Sequence, residues 1–192
     1  PVLGSVETVG NMPRETIMGH MSAGYGGDRM VLSAAGNLEH DAFVQAASDL
    51  FDKIPPQAQV AMEAGHYEGG HHFEDRELEQ VHLLLGFSGL SYEDDQFYAT
   101  SVMSTLFGGG MSSRLFQEVR EKRGLAYSIY AFHSSFADNG LFGVYAGSAE
   151  EDANEVADVI AEELLRACDG LDGKELDRAR TQLKAGLLMS RE

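Results

Sequence analysis

Histidines are the first residues of this chain that could do chemistry, because imidazole is the commonest metal ligand among side chains. The seven of them are His20, His40, His66, His71, His72, His82 and His133. No two are four residues apart, which is the spacing that a helical zinc pair requires. The stretch NLEH resembles the end of an inverted H-x-x-E-H motif, but Gly36 stands where the first ligand would be. We interpret these histidines as solvated or structural side chains, so the sequence predicts no metal ligands.

Nucleophilic catalysis and phosphate binding find little support in the motifs. No G-x-S-x-G elbow is present, and the single cysteine, Cys168, lies on an apolar helical pattern that predicts a core residue without a disulfide. The stretch GGGMSSR lacks the lysine of a P-loop. The backbone amides of Gly108, Gly109 and Gly110 could still bind an anion or a peptide carbonyl in front of a helix.

An arginine and a tyrosine separated by six residues, Arg120 and Tyr127, are the remaining candidates. A guanidinium and a phenol both donate hydrogen bonds, so together they could stabilise the oxyanion that forms when water attacks a peptide bond. Spacing alone favours a simpler interpretation, in which Arg120 is a solvated cation at a helix end and Tyr127 is an exposed aromatic of a strand. Arg123 is a second, weaker candidate for the arginine.

The elements before these residues form a first predicted group of helix, strand and helix. Asn11 and Pro13 indicate a helix start, residues 29–36 a short buried strand, and Asn37 the cap of a second helix with an apolar stripe. Residues 52–70 then contain two prolines and several glycines without periodicity, which predicts an extended linker.

A second predicted group positions Arg120 and Tyr127. Residues 79–87 indicate a central strand, and capping boxes at Ser91 and Ser148 indicate two helix starts, the first helix carrying Tyr98 inward. A helix over residues 113–122, with Leu115, Phe116 and Val119 buried, should end at Gly124, and residues 125–146 predict a β-hairpin whose DNG turn accepts positive φ. The last helix shows no stop signal at residue 192, so we expect a truncated chain.

Helices mixed with a hairpin, rather than repeated strand–helix–strand units, predict an α+β fold with layered helices on a largely antiparallel or mixed sheet. The net charge of −17 disfavours nucleic acid and anionic membranes as partners and would suit basic peptides, although ordinary solubility is the simpler explanation. No apolar run is long enough to span a bilayer.

The stretch from residue 108 to 146 resembles the inverted zincins, the family of pitrilysin and mitochondrial processing peptidase. The glycine run, the R-x6-Y spacing and the DNG hairpin occur in the order typical of the C-terminal homologous domain. The upstream stretch YGGDRMVLSAAGNLEHDAFVQAASDLF is similar to the end of the N-terminal domain. The resemblance therefore implies residues 1–54 as the end of the first domain, 55–70 as the interdomain linker, and 71–192 as the first part of the second.

In this family an H-x-x-E-H helix binds zinc, and its glutamate acts as a general base; both would lie outside this sequence. The resemblance implies that Arg120 and Tyr127 reach the substrate carbonyl as catalytic residues, that Gly108, Gly109 and Gly110 contact substrate, and that extended peptides bind by strand addition. It implies an incomplete processing-peptidase-like fold, inactive by itself, with zinc in the full-length protein.

Three functions remain open at this point. The first is part of a zinc endopeptidase, and the second is a non-catalytic peptide-binding or scaffold subunit, as a homodimer or with a sister subunit. The third is a stand-alone small-molecule-binding domain, which the open final helix disfavours. We expect a cytoplasmic protein, and any targeting segment would lie outside this sequence.

Overall fold

The computed structural model describes residues 3–56 and 63–190. Contacts divide the chain into two compact units, residues 1–62 and 63–192. This boundary lies within the predicted linker 55–70, of which residues 57–62 lie outside the described residues. The assignment of the two units to an N-terminal and a C-terminal peptidase-like domain stays a prediction.

The first unit is helical over the residues described. It contains α1 (Val6–Gly10), α2 (Arg14–Gly24) and α3 (His40–Phe51). The predicted strand over residues 29–36 is wrong: Gly27–Arg29 forms a single 3-10 turn, and residues 30–39 contain no strand. A strand needs a partner for its backbone hydrogen bonds, and the described part of this unit has none to offer. Glu39, not Asn37, precedes α3, and no residue of α3 is buried.

The second unit is an α+β layer, as predicted. In chain order it contains β1 (Val81–Gly89), α4 (Phe97–Gly108), a π-helix (Phe116–Glu121), β2 (Ala126–Ser135), β3 (Gly140–Ser148), α5 (Ala153–Cys168) and α6 (Gly173–Met189). The strands form one antiparallel three-stranded sheet in the order β1-β3-β2. The prediction of a central β1 is therefore wrong for the strands described. The central strand is β3, because β2 pairs with one of its edges and β1 with the other. Each helix in the described part of the chain is too short or too polar to span a bilayer.

One face of the sheet packs on the helices and forms the core. Side chains alternate between the two faces of a strand, so Ala131 of β2, Val144 of β3 and Leu85 of β1 share a row on the helical side. The ring of Phe107 from α4 lies 6.4 Å from that of Phe142. The buried apolar residues are Leu106, Phe107, Leu115, Val119, Leu125, Ala126, Ile129, Ala131, Phe142, Val144, Ala146, Val156, Val159, Ile160 and Ala179.

The β2–β3 hairpin is present, but its turn differs from the prediction. Asp138, Asn139 and Gly140 all have negative φ, and the turn is closed by the Phe136 amide, which donates to the Asn139 carbonyl at 2.8 Å. Left-handed backbone was therefore not required here. The predicted stop at Gly124 is confirmed, since its φ of 68° turns the chain from the π-helix into β2.

Two predicted capping boxes are wrong, and a third exists that was not predicted. Ser148 ends β3, where pairing with Val81 and Ala126 holds its backbone extended, and α5 begins only after Asp152. Helix α4 begins after Gln96 without a side-chain cap, five residues beyond Ser91. The capping box observed joins Asp172 and Glu175 at the start of α6.

Two side chains predicted to face the core are exposed instead. Tyr98 lies on the outer side of α4. Cys168 is exposed at the last turn of α5, beyond the buried residues Val156 and Ile160, and its thiol contacts the Leu164 carbonyl at 3.5 Å. A helical pattern shows which side of a helix is apolar but not how far along the helix the neighbouring layer extends, which is why the final turn was misassigned.

Candidate functional site

Arg120 is positioned by the π-helix. The backbone amide of Lys122 bonds the carbonyl of Gln117 at 3.0 Å, a five-residue step that widens the helix by one residue. Leu115 and Val119 on the inner side are fully buried and fix the element to the core. The side chain of Arg120, one residue after Val119, therefore points out of the core and lies near the start of β2.

Tyr127 is positioned by a β-bulge. Ala126 pairs with Ser148 and Ser128 pairs with Gly147, so Tyr127 is an extra residue without a partner on β3. A bulge redirects the side chains beside it. Tyr127 is consequently 71% exposed, although its neighbour Ala126 is buried.

The structure brings Arg120 and Tyr127 together. The guanidinium carbon lies 4.8 Å from the Tyr127 ring centroid and 4.7 Å from that of Phe116, so two aromatic rings hold the cation. Among the described residues, the only carboxylate close to the guanidinium is that of Glu121, whose Oε1 lies 4.0 Å from Nε of Arg120. Stacking uses the faces of a guanidinium and leaves the N–H donors at its rim available. The guanidinium N–H groups and the Tyr127 hydroxyl are both hydrogen-bond donors, for example to a carbonyl oxygen.

Phe116 is a site residue that sequence reasoning placed in the core. It is only half-buried and stacks on Arg120. The two residues are four positions apart, the spacing at which helical side chains meet, so the pattern did contain this signal. Arg123, the second candidate, is exposed and three residues beyond Arg120.

The glycine run has a packing role. A Cβ on Gly108 would lie 1.9 Å from the Ala131 amide nitrogen, so only glycine lets the end of α4 approach β2 this closely. The Gln182 side chain of α6 donates to the Gly109 carbonyl at 2.6 Å, and a Cβ on Gly110 would meet the same side chain at 2.9 Å. Packing thus accounts for glycine at residue 108, and a substrate-binding role for the three glycines stays a prediction.

An ion pair that the sequence did not indicate joins the residue before the π-helix to α6. Arg114, just before the π-helix, donates from Nε to both carboxylate oxygens of Glu175 at 3.0 and 3.1 Å, and further from Nη2. Both side chains are largely buried. The hydrogen bond from Arg114 lowers the pKa of Glu175 from its ordinary value of 4.5. The partners are 61 residues apart, so no local pattern could reveal them.

Replacing this carboxylate is expected to destabilise the second unit. A lowered folded-state pKa means that the pair stabilises the fold fully above pH 4.5 and loses its effect as the pH falls through the folded pKa. Glu175→Gln should lower the free energy of unfolding in urea by about 2 kcal/mol at pH 7, with a smaller difference at acid pH.

Glu74→Gln is the matched control, because it removes the exposed pair with Arg76 and should cost only about 0.5 kcal/mol. An unchanged stability difference between wild type and Glu175→Gln from pH 7 to pH 3 would show that the ion pair does not contribute.

Metal ligands are not assembled by the residues described. No group of three or more His, Cys, Asp or Glu side chains in residues 3–56 and 63–190 could hold an ion. These residues therefore do not fit a zinc centre.

A three-stranded antiparallel sheet covered by helices on one face, with an arginine–tyrosine pair at a bulge, defines a layered α+β domain. The sequence model described as "Peptidase M16 inactive domain" matches residues 11–183, which includes parts of both units. The chain belongs to the peptidase M16 family.

Curated relatives match over the whole chain. An uncharacterized zinc protease of Rickettsia bellii is 36% identical over 193 residues, which are 100% of this chain and 47% of the relative. One of Streptomyces coelicolor is 41% identical over 202 residues, covering 100% of this chain and 44% of the relative. The chain thus spans about half the length of the curated relatives it matches.

Solved structures share the fold. The peptidase M16 inactive domain from Pseudomonas fluorescens has a TM-score of 0.78 and 26% identity, covering 94% of this chain and 45% of the other. A chain of Complex III2 from Candida albicans has a TM-score of 0.87 over 98% of this chain and 48% of its own, with 22% identity, a likeness that shows the fold alone.

Proposed function

We propose that this chain is the substrate-facing, zinc-free part of an endopeptidase that hydrolyses extended peptides and uses zinc held by residues outside this sequence. The family assignment and the zinc-protease names of the relatives support the general class. The single observation that carries the proposal is the contact between Arg120 and Tyr127, where two irregular pieces of backbone bring the guanidinium carbon within 4.8 Å of the ring centroid.

In this proposal Arg120 and Tyr127 bind the carbonyl oxygen of the peptide bond that is cleaved. When water adds to the carbonyl carbon, the C=O electron pair moves onto oxygen, and both donors hold the resulting oxyanion. Because Phe116 and Tyr127 already fix the guanidinium, little reorganisation is needed during the reaction. One such donor typically contributes about 3 kcal/mol to stabilisation of the transition state.

Peptide binding is proposed to occur by strand addition, as the resemblance implies. An extended peptide that pairs with a strand gains main-chain hydrogen bonds whatever its sequence. The described sheet has two edges, the outer sides of β1 and β2. The bulge that contains Tyr127 is on β2, so a peptide near that edge would lie close to both donors.

Metal removal from the full-length protein tests the proposal. We expect the full-length protein to cleave a peptide, to lose this activity with a chelator and to regain it with zinc. The 192-residue chain alone should cleave nothing under the same conditions, and it serves as the matched control. Hydrolysis by the chain alone, or full-length activity that persists through metal removal, would contradict the proposal.

A second candidate is a scaffold subunit that binds peptides or a sister subunit without cleaving them. The matching family description contains the word "inactive", and one structural neighbour is a chain of Complex III2. A full-length protein that folds and binds another chain but hydrolyses no peptide, with or without zinc, would favour this function over the first.

A further inference from the structure

Arg120 is a partly buried cation that no carboxylate holds by a hydrogen bond. Its side chain is 35% exposed, and the Glu121 carboxylate, 4.0 Å from Nε, is too distant for a hydrogen bond. In the part of the chain that the structure describes, the N–H groups of this guanidinium have no hydrogen-bonded acceptor. The guanidinium of Arg114, by contrast, bonds both carboxylate oxygens of Glu175. A cation that loses water is ordinarily paired with an acid, so a different kind of contact holds Arg120.

Phe116 occupies the position from which an acid would reach Arg120. On the same helical segment, Lys122 donates at 2.5 Å to Glu118, which lies four residues before it. Four residues before Arg120 stands Phe116, and the guanidinium carbon lies 4.7 Å from its ring centroid. Side chains with this spacing meet on a helix, so a glutamate at residue 116 could pair with Arg120 as Glu118 does with Lys122. Phenylalanine instead gives the cation a contact without a counter-charge.

A ring and a carboxylate restrain an arginine in chemically different ways. A carboxylate accepts hydrogen bonds from the N–H groups at the rim of the guanidinium and compensates its charge. A ring contacts the face of the guanidinium, so the N–H groups and the positive charge remain available to another acceptor. Both close contacts of Arg120 are of the second kind, since the Tyr127 ring centroid lies 4.8 Å from the guanidinium carbon.

We propose that Phe116 is a positioning residue for the proposed reaction: its ring fixes the guanidinium of Arg120 and leaves the N–H donors and their charge free for the oxyanion. This inference deepens the proposed function and rests on it for the effect on rate, whereas the ring contact can be measured in an inactive protein as well. The rate then depends on the aromatic character of residue 116. A residue without a ring releases the guanidinium, and an acidic residue holds it but occupies its donors.

Substitutions at residue 116 of the full-length protein separate these effects in steady-state kinetics with a peptide substrate. Phe116→Tyr keeps a ring and should keep kcat within twofold. Phe116→Leu keeps an apolar side chain without a ring and should lower kcat about three- to tenfold at unchanged KM. Phe116→Glu should lower kcat about 10²-fold, because the new carboxylate takes the donors of Arg120. A leucine variant as active as the tyrosine variant, or a glutamate variant more active than the leucine variant, would overturn the inference.

Nuclear magnetic resonance of the Nε–Hε group of Arg120 tests the contact without relying on catalysis. The ring currents of two stacked aromatic rings should shift this resonance upfield, and Arg120→Lys identifies the resonance by removing it. The upfield shift should be kept in Phe116→Tyr and reduced in Phe116→Leu. In Phe116→Glu the resonance should move downfield, because a hydrogen bond to a carboxylate deshields the proton. An unchanged resonance in Phe116→Leu would overturn the inference.

Phe136→Leu is the matched control for both measurements. It makes the same chemical change at an exposed phenylalanine next to the turn of the β2–β3 hairpin, and it should leave kcat and the Arg120 resonance unchanged. Equal changes in Phe136→Leu and Phe116→Leu would contradict a specific role for Phe116. The expected resonance shifts in a full-length protein that hydrolyses no peptide would support the ring contact and contradict only the proposed peptidase activity.

Discussion

Arg120→Ala is expected to lower the kcat of the full-length protein on a peptide about 10²- to 10³-fold, with little change in KM. The reason is that a donor to the oxyanion acts mainly in the transition state, so its loss affects the chemical step rather than ground-state binding. Steady-state kinetics of wild type and variant at saturating zinc measure both constants.

Two further variants separate this role from simpler ones. Tyr127→Phe removes only the hydroxyl and keeps the ring under Arg120, so a comparable loss of kcat would indicate that the phenol donates a hydrogen bond. Arg123→Ala is the matched control, because it removes an exposed arginine three residues away and should leave kcat within twofold. If Arg123→Ala reduced kcat as much as Arg120→Ala, charge in this region rather than the stacked pair would be responsible.

Leu115→Ala is expected to lower the free energy of unfolding by about 2–5 kcal/mol. Leu115 is 0% exposed, and it lies immediately before the π-helix within the apolar core of the second unit. Truncating it removes buried methyl groups and leaves a cavity that close-packed neighbours fill only in part. Urea unfolding followed by circular dichroism gives the change from the shift of the midpoint at constant slope.

Leu165→Ala is the appropriate control for that experiment. It makes the same chemical change on α5, where the side chain is 69% exposed, and should alter the free energy of unfolding by less than about 0.5 kcal/mol. Equal losses for the two variants would mean that Leu115 is not part of a packed core. The same measurement would then also question the position of Arg120, because Leu115 and Val119 fix the element that carries it.

Element types in the second unit could be predicted because their signals are local. Alternation and turn residues indicated the hairpin, and apolar spacing indicated α5 and α6, as the structure confirms. Position within the sheet was not predictable in this way: β1 is apolar enough for a central strand, but its place depends on pairing with β3, which lies about 60 residues later in the sequence. The prediction of a strand over residues 29–36 is wrong for a related reason, since residues with β propensity do not form a strand without a partner strand.

The candidate site shows the same division between local and distant signals. The family resemblance indicated Arg120 and Tyr127, and a helix with a strand after it was expected around them. The two backbone irregularities that bring their side chains together, the π-helix and the bulge, have no signature in residue type. The Arg114–Glu175 pair and the stacking of Tyr130 on Tyr145 likewise depend on packing between distant segments.

Affinity for a tetrahedral peptide analogue tests the central claim most directly. A phosphinic peptide copies the charged oxygen of the addition intermediate, whereas a substrate peptide presents a neutral carbonyl. The account predicts that Arg120→Ala and Tyr127→Phe weaken binding of the analogue by the same factor by which they reduce kcat/KM, while substrate binding stays nearly constant. An unchanged inhibition constant in both variants, alongside a reduced rate, would show that neither side chain holds the oxyanion.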